Sequence, residues 1–160
     1  MIQTMSPTKR LCVSAVVMAL YVTVMYATQS FAFGVYQIRI ATSLYALSYG
    51  FPFLIVPLGL SNGIGNYLGG FGALDIAGGA AIGLITSGAV SLIRRFQWPK
   101  LLIVPAIILG PGLAVPLWLS PLTGVPYPAL ALSLCIGQTL PAILGYGLVR
   151  IFSRLGLDRV

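Results

Sequence analysis

The chain has 160 residues, of which 58% are hydrophobic and only 7% are charged, and its mean hydropathy is +1.00. Soluble domains carry about 25% charged residues, so this sequence has too few polar side chains to cover a water-facing surface. The net charge of +7 does not indicate nucleic-acid binding, because an evenly apolar chain has no exposed face for a basic patch. The composition therefore predicts an integral membrane protein without a sizeable domain outside the bilayer.

The inventory of polar residues excludes most catalytic and metal chemistry. The chain has no histidine, and its two acids are Asp75 and Asp158. Histidine-based triads, paired-carboxylate hydrolysis and carboxylate-rich metal sites are therefore excluded. Cys12 and Cys135 lie in separate apolar runs, and the chain contains no phosphate-binding loop motif. We expect no catalytic residue, no metal site and no cofactor.

Basic residues divide the chain into apolar intervals, and they indicate the topology. They cluster before the first interval, in the middle of the chain and at its end: Lys9, Arg10; Arg94, Arg95, Lys100; Arg150, Arg154, Arg159. Loops rich in lysine and arginine stay cytoplasmic, so an even number of crossings separates the clusters. We predict one all-α membrane domain over residues 1–160, with six transmembrane helices and both termini cytoplasmic.

The first predicted span covers residues 11–33 and contains Ala15 and Ala19. Small residues four positions apart permit close contact between helices, although this spacing is common in transmembrane helices. The second predicted span, 38–49, is short, because a helix needs about 20 residues to cross the bilayer. We expect it to be tilted, irregular or partly shielded by protein.

The third predicted span covers residues 53–70 and the fourth covers 74–93. Asn62 and Asn66 lie on one helix face in the third span, and that face is expected to point inwards because lipid cannot solvate amides. They form interhelical hydrogen bonds, or Asn66, which is nearer the external end, contacts a ligand. The fourth span opens at Asp75, an acid suited to a helix N-terminus.

The fifth and sixth predicted spans cover residues 101–119 and 129–149. Gln138 is a neutral amide inside the sixth span, so it is expected to face protein or ligand. Trp118 and Tyr127 are typical of the aromatic belt at the membrane interface. Aromatic side chains around an external cavity could instead stack on a planar ligand.

Arg39 lies outside the three basic clusters, in the sequence Tyr36-Gln37-Ile38-Arg39. In the six-span topology it shares the external side with Asp75. A charge at the membrane boundary is tolerated when it is paired or when it meets a ligand. Arg39 is therefore interpreted either as the partner of Asp75 in a structural ion pair or as a ligand-binding guanidinium oriented by Asp75 or Gln37. The two interpretations do not exclude each other.

Three segments resemble the QueT-type family of queuosine-precursor transporters: Tyr36-Gln-Ile-Arg-Ile-Ala-Thr-Ser-Leu44, Gly59 to Asn66, and Leu74-Asp-Ile-Ala-Gly-Gly79. Members of this family are substrate-binding S-components of energy-coupling factor (ECF) vitamin importers. The resemblance implies a multi-pass protein of a prokaryotic cell membrane that captures a deazapurine from outside. It also implies docking on a module of one transmembrane coupling protein and two ATPases, where ATP hydrolysis takes place.

The resemblance assigns roles to residues of this sequence. It implies ligand binding by Gln37, Arg39, Asn66, Asp75 and Gln138, and docking on the coupling protein by Ala15 and Ala19. Thr42 and Gln138 stand where the family pattern commonly has acids. A buried ammonium needs a charge partner, so we expect a neutral ligand, or another small vitamin or base in place of the family's substrate.

The alternative is a stand-alone secondary transporter or facilitator for a small polar molecule. Such a carrier would take up its substrate without any ATPase partner. A proton-coupled carrier needs relay residues in the membrane, and this chain has no histidine and one plausible intramembrane acid, Asp75. The sequence therefore favours the S-component.

Overall fold

The protein is described here from a computed structural model, which covers residues 5–34 and 36–156. Within these residues the chain is helical and contains no strand, which confirms the predicted all-α fold. The α-helices are α1 (Pro7–Ala27), α2 (Gln29–Ala32), α3 (Ile55–Gly69), α4 (Ala73–Arg95), α5 (Ile103–Ala114), α6 (Pro116–Thr123) and α7 (Tyr127–Arg154). Short 3-10 helices cover Ile40–Tyr49, Pro52–Leu54 and Lys100–Leu102.

Four helical stretches in the described ranges are long and apolar enough to cross a membrane: Pro7–Ala27, Ala73–Arg95, Lys100–Thr123 and Tyr127–Arg154. The other two predicted spans are shorter. They correspond to the 10-residue 3-10 helix and to the 15 residues of α3. Four apolar helices point to a membrane protein, whereas the six crossings and the side of the termini stay predictions.

The 3-10 helix Ile40–Tyr49 lies at the centre of the bundle. Most of its residues are buried, and it packs against α1, α4 and α7. A 3-10 helix rises about 2.0 Å per residue, so this segment covers only about 20 Å. The surrounding helices shield its irregular backbone, which is the condition for such a segment at membrane depth. Of the alternatives expected for 38–49 (tilted, irregular or partly shielded), Ile40–Tyr49 is irregular and shielded, while its crossing of the membrane stays a prediction.

Helices α3 and α4 form a closely packed hairpin. A Cβ atom at Gly83 would lie 2.8 Å from the Cα atom of Gly59, so the two backbones are in direct contact. The turn between the helices contains Gly70 with φ 73° and Gly72 with φ 93°. Glycine adopts these left-handed conformations without steric cost. The tight turn brings the start of α4, with Asp75, beside the end of α3, with Asn66.

The predicted fifth span, 101–119, corresponds to α5 and α6, which Val115 separates. Pro116 begins α6, and proline has no backbone N–H to continue the hydrogen bonding of the preceding helix. Val115 keeps helical dihedral angles (φ −58°, ψ −40°), so α6 continues the course of α5, and Trp118 of α6 lies against α4 at Gly78. A Cβ atom at Gly78 would lie 2.7 Å from the indole ring, so the glycine makes room for the tryptophan.

Candidate functional site: a buried polar cluster beside an open cavity

A buried polar cluster forms where the loop before the central 3-10 helix meets the α3–α4 turn. Arg39 Nη1 donates to Asn66 Oδ1 at 2.6 Å, and Arg39 Nη2 donates to Gln37 Oε1 at 3.1 Å. Asn66 Nδ2 donates to the backbone carbonyl of Asp75 at 2.9 Å. All four residues are buried. The fold thus brings together four of the five residues predicted to bind ligand.

The charged groups of the cluster are bridged rather than paired. The described part of the chain contains no direct ion pair between Arg39 and Asp75, because Asn66 stands between the guanidinium and the start of α4. Asp75 Oδ1 accepts from Trp118 Nε1 at 2.9 Å, while Asp75 Oδ2 and Arg39 Nε have no hydrogen-bond partner among the described residues. Buried charges with open bonds are costly to a fold, so this arrangement suits binding better than stability.

Gln138 joins the cluster from α7 through Thr42. The Thr42 hydroxyl oxygen lies 2.7 Å from the Arg39 carbonyl oxygen and 2.7 Å from Gln138 Oε1. Gln138 Nε2 has no hydrogen-bond partner in the part of the chain that the structure describes. A hydroxyl has one proton to donate, so the reversed amide, with its NH₂ group donating to Thr42, satisfies both contacts of the hydroxyl. In either orientation Gln138 retains one buried amide atom that a ligand can contact.

Glycine on α7 allows the loop to approach. A Cβ atom at Gly137 would collide with the carbonyl oxygen of Tyr36. At Gln37 the loop has φ 44°, in the left-handed region that a residue with a side chain occupies at a cost of about 1–2 kcal/mol. The close contact with α7 and this turn together direct Gln37 and Arg39 towards α3.

A cavity of about 360 Å³ opens at the same end of the bundle. This volume lies in the range of small-molecule sites. The loop before the 3-10 helix, the α3–α4 turn and the facing ends of α6 and α7 line it: Phe33, Gly34, Gln37, Phe71, Leu119, Thr123, Val125, Ala129, Leu130 and Ser133. Among the predicted binding residues, Gln37 lines the cavity, whereas the other four are buried outside its lining.

Phe33 and Gln37 connect the cavity with the buried cluster. The Arg39 guanidinium carbon lies 5.1 Å from the centre of the Phe33 ring, and Gln37 accepts a hydrogen bond from the same guanidinium. Phe33 also fills the space beside Gly69, where a Cβ atom would come within 2.6 Å of the ring. Displacement of these two side chains would expose Arg39 to a ligand in the cavity.

The expectation that both asparagines of α3 face the interior is confirmed. Asn62 Nδ2 donates to the Gly79 carbonyl at 2.6 Å, and Asn62 Oδ1 accepts from the Tyr21 hydroxyl at 3.0 Å. Tyr21 and Tyr45 are joined through their hydroxyls at 3.2 Å. Asn62 therefore ties α1, α3 and α4 together below the site.

Ala15 and Ala19 lie away from the cluster, on an exposed face of α1. The opposite face of α1 buries Val17, Tyr21 and Met25. Among the 18 most apolar consecutive residues of α1, only 17% are buried, against 33–39% in the corresponding parts of the other three long apolar stretches. Within the described chain, nothing covers the face that carries the two alanines.

Phe33 and Trp118 are not among the residues predicted to bind ligand. For Trp118 the sequence allows a place in the aromatic belt or a place around an external cavity, stacked on a planar ligand; in the structure its indole N–H donates to Asp75, 43 positions away in the chain. Glycine at position 78, opposite the ring, is a signal visible only once the helices are placed. Phe33 had no distinguishing signal, because apolar aromatic residues are frequent throughout this chain.

Comparison with known proteins supports the resemblance noted in the sequence. The family model described as "QueT transporter" matches residues 11–154, which include every residue of the cluster and of the cavity lining. No curated protein and no solved structure shows significant similarity to the chain.

Proposed function

Because the chain belongs to the QueT transporter family, we propose that it is the substrate-specific subunit of an ECF-type importer. In this proposal it spans a prokaryotic plasma membrane six times and captures a queuosine precursor, a deazapurine, from outside. It then docks on a coupling module of one transmembrane protein and two ATPases. ATP hydrolysis takes place on those partners.

The buried cluster is the observation that carries the proposal. Arg39 and Asp75 contribute opposite charges, bridged by Asn66, and within residues 5–34 and 36–156 each keeps one atom without a hydrogen-bond partner. The cluster therefore offers a donor, an acceptor and no net charge. A nucleobase presents N–H donors beside a carbonyl acceptor on one edge, and it matches such a site without bringing an uncompensated charge into it.

Ligand entry follows from the arrangement of the cavity. A planar deazapurine is small enough for the open cavity, where Phe33 and Phe71 provide apolar walls. Exchange of the Phe33–Arg39 contact for a base–Arg39 contact then brings the ligand onto the buried polar groups. The polar edge of the base is bound by the side-chain atoms of Arg39, Asp75 and Gln138 that have no hydrogen-bond partner among the described residues.

Docking is assigned to the exposed face of α1. Ala15 and Ala19 lie four positions apart on that face, and small side chains allow two helix backbones to approach closely. A helix of a coupling protein can therefore pack there without displacing any residue of the ligand cluster. The proposal separates the two functions: the cluster binds ligand and α1 binds the partner.

Co-purification tests the proposal. The tagged chain is expressed with a complete ECF coupling module, alongside the Ala15→Trp/Ala19→Trp double variant and an Ala77→Trp/Ala81→Trp control. The control alanines have the same spacing and are also exposed, but they lie on α4. We expect the wild type and the control to recover the module and the α1 variant to lose it, while all three bind ligand equally. Binding is measured with the neutral nitrile-bearing and the charged aminomethyl-bearing deazaguanine, and the nitrile is expected to bind more tightly.

Specific results would contradict each part. Equal loss of ligand and module in the α1 variant would argue against a separate docking face. Tighter binding of the aminomethyl base would argue against a neutral ligand. If the folded wild type recovered no module, uptake would next be measured without ATPases, with Asp75→Asn testing ion coupling, as the secondary-transporter alternative requires.

A further inference from the structure

The Trp118 indole lies between Gly78 of α4 and the Asp75 carboxylate. Trp118 is in the first turn of α6, two residues after Pro116. Gly78 on α4 leaves the space that the indole occupies, because a Cβ atom there would lie 2.7 Å from the ring. The indole N–H then donates to Asp75 Oδ1 at 2.9 Å. Trp118 is thus held by packing on one side and by a hydrogen bond on the other.

The hydrogen bonds of the Asp75 carboxylate are incomplete. The residue is fully buried, Oδ1 has the indole donor, and Oδ2 has no partner among the described residues. A carboxylate can accept about four hydrogen bonds, and a buried acceptor left without a donor costs about 1–3 kcal/mol. The Asp75 backbone carbonyl is already bonded to Asn66, which fixes the start of α4. The position of Oδ2 is therefore fixed by the hydrogen bond to the Trp118 indole and by the hydrogen bond of the Asp75 backbone carbonyl to Asn66.

The donor that Trp118 provides is neutral. An arginine or lysine at this position would pair with the Asp75 charge and reduce its capacity to bind a ligand. The indole N–H orients the carboxylate and leaves its negative charge in place, and hydrogen bonds to a charged acceptor are roughly twice as strong as neutral ones. A ligand N–H at Oδ2 meets this stronger acceptor.

We propose that Trp118 is a positioning residue that holds the Asp75 carboxylate so that Oδ2 accepts a hydrogen bond from an exocyclic amine of the ligand. This inference rests on the proposed function, in which Asp75 contacts the base. The site then selects neutral heterocycles that carry such an amine over otherwise identical heterocycles that lack it. Trp118 acts through Asp75 and does not touch the amine itself.

The test compares two neutral probes on three proteins. The probes are deazaguanine and deazahypoxanthine, which differ by the exocyclic amine. Trp118→Phe keeps an aromatic ring against Gly78 but removes the N–H, and Trp98→Phe is the matched control because Trp98 is exposed beyond the other end of α4. We expect Trp118→Phe to bind deazaguanine about tenfold more weakly and deazahypoxanthine nearly as the wild type does. Trp98→Phe should leave both affinities unchanged.

A second measurement does not depend on the Trp118 variant. In Trp98→Phe protein, Trp118 is the single tryptophan, since the chain has two. Its fluorescence should change on titration with deazaguanine, in step with binding, and much less with deazahypoxanthine.

The remaining outcomes distinguish the two proposals. Three results would overturn the positioning role and leave the proposed function intact. In Trp118→Phe, these are equal weakening of the binding of both probes, or unchanged affinity for deazaguanine. In Trp98→Phe, it is a change of Trp118 fluorescence that is the same with deazaguanine and with deazahypoxanthine. A folded wild type that bound neither probe nor any other deazapurine would overturn the proposed function, and this inference with it.

Discussion

Asn62 and Asn66 lie four positions apart on α3 and make the same bridge to α4. Asn62 donates to the carbonyl of Gly79, and Asn66 donates to the carbonyl of Asp75, which is four positions earlier on α4. We name them the inner bridge (Asn62–Gly79) and the outer bridge (Asn66–Asp75). The residue type, spacing and backbone partner are the same in both, so any functional difference comes from what each amide oxygen accepts.

The two bridges are completed by different groups. In the inner bridge, Asn62 Oδ1 accepts from the neutral hydroxyl of Tyr21, which is joined to the hydroxyl of Tyr45. The amide and both hydroxyls therefore have hydrogen-bond partners. The outer bridge accepts from Arg39, whose Nε atom is open, and lies beside the open Oδ2 of Asp75. A satisfied buried network stabilises a fold, whereas an incomplete one does so poorly. The same motif is therefore fully hydrogen-bonded at the inner level and incomplete at the outer level, where we propose that the ligand binds.

The largest expected effect comes from Arg39→Met, which breaks the outer bridge. Removal of the guanidinium leaves the Asp75 charge buried without a compensating charge, and truncation of one partner of a buried charge pair costs about 2–5 kcal/mol in binding. We expect ligand affinity to fall by at least about 30-fold, as 1.4 kcal/mol corresponds to a factor of about ten. Titration of purified protein measures this, and Arg95→Met, at an exposed arginine of α4, is the control. If Arg39→Met bound the ligand with wild-type affinity, the outer bridge would not be part of the ligand site.

An intermediate effect is expected from Gly79→Ala, because this residue contacts both bridges. The carbonyl of Gly79 belongs to the inner bridge, but its Cα faces the outer one, where an added Cβ would overlap the Asn66 amide. Displacement of that amide should weaken ligand binding by about tenfold, the loss of roughly one hydrogen bond to a charged group. Gly88→Ala on the same helix meets open space and should be neutral or stabilising by about 0.5–1 kcal/mol. Equal affinities in both variants would show that Asn66 tolerates displacement.

The smallest effect is expected from Tyr21→Phe, which removes one hydroxyl from the inner bridge. Interhelical hydrogen bonds in membrane proteins contribute about 0.6 kcal/mol on average. We expect a loss of stability of that size, measured by unfolding in detergent micelles, with ligand affinity unchanged. A clear loss of affinity in this variant would extend the ligand site to the inner bridge.

The all-helical membrane class and the inward-facing amides could be predicted from the sequence because hydropathy acts locally. The scarcity of charge indicated a membrane protein, and the cost of an amide in lipid placed Asn62 and Asn66 inside. The length of the 38–49 stretch indicated an irregular, shielded segment, and its surroundings in the bundle agree. These conclusions need only the properties of each segment and its solvent.

The bonding within the site was decided by the tertiary structure. Arg39 bonds to a residue 27 positions away, Trp118 to one 43 positions away, and Thr42 to one 96 positions away. A side chain inside the bundle bonds to whichever group the packing of the helices brings within about 3 Å. That choice depends on features that composition does not encode, such as the space that Gly78 leaves for Trp118 and the backbone contact between Gly59 and Gly83. Hydropathy indicated which residues avoid lipid, whereas the packing of the helices fixed which partners they meet.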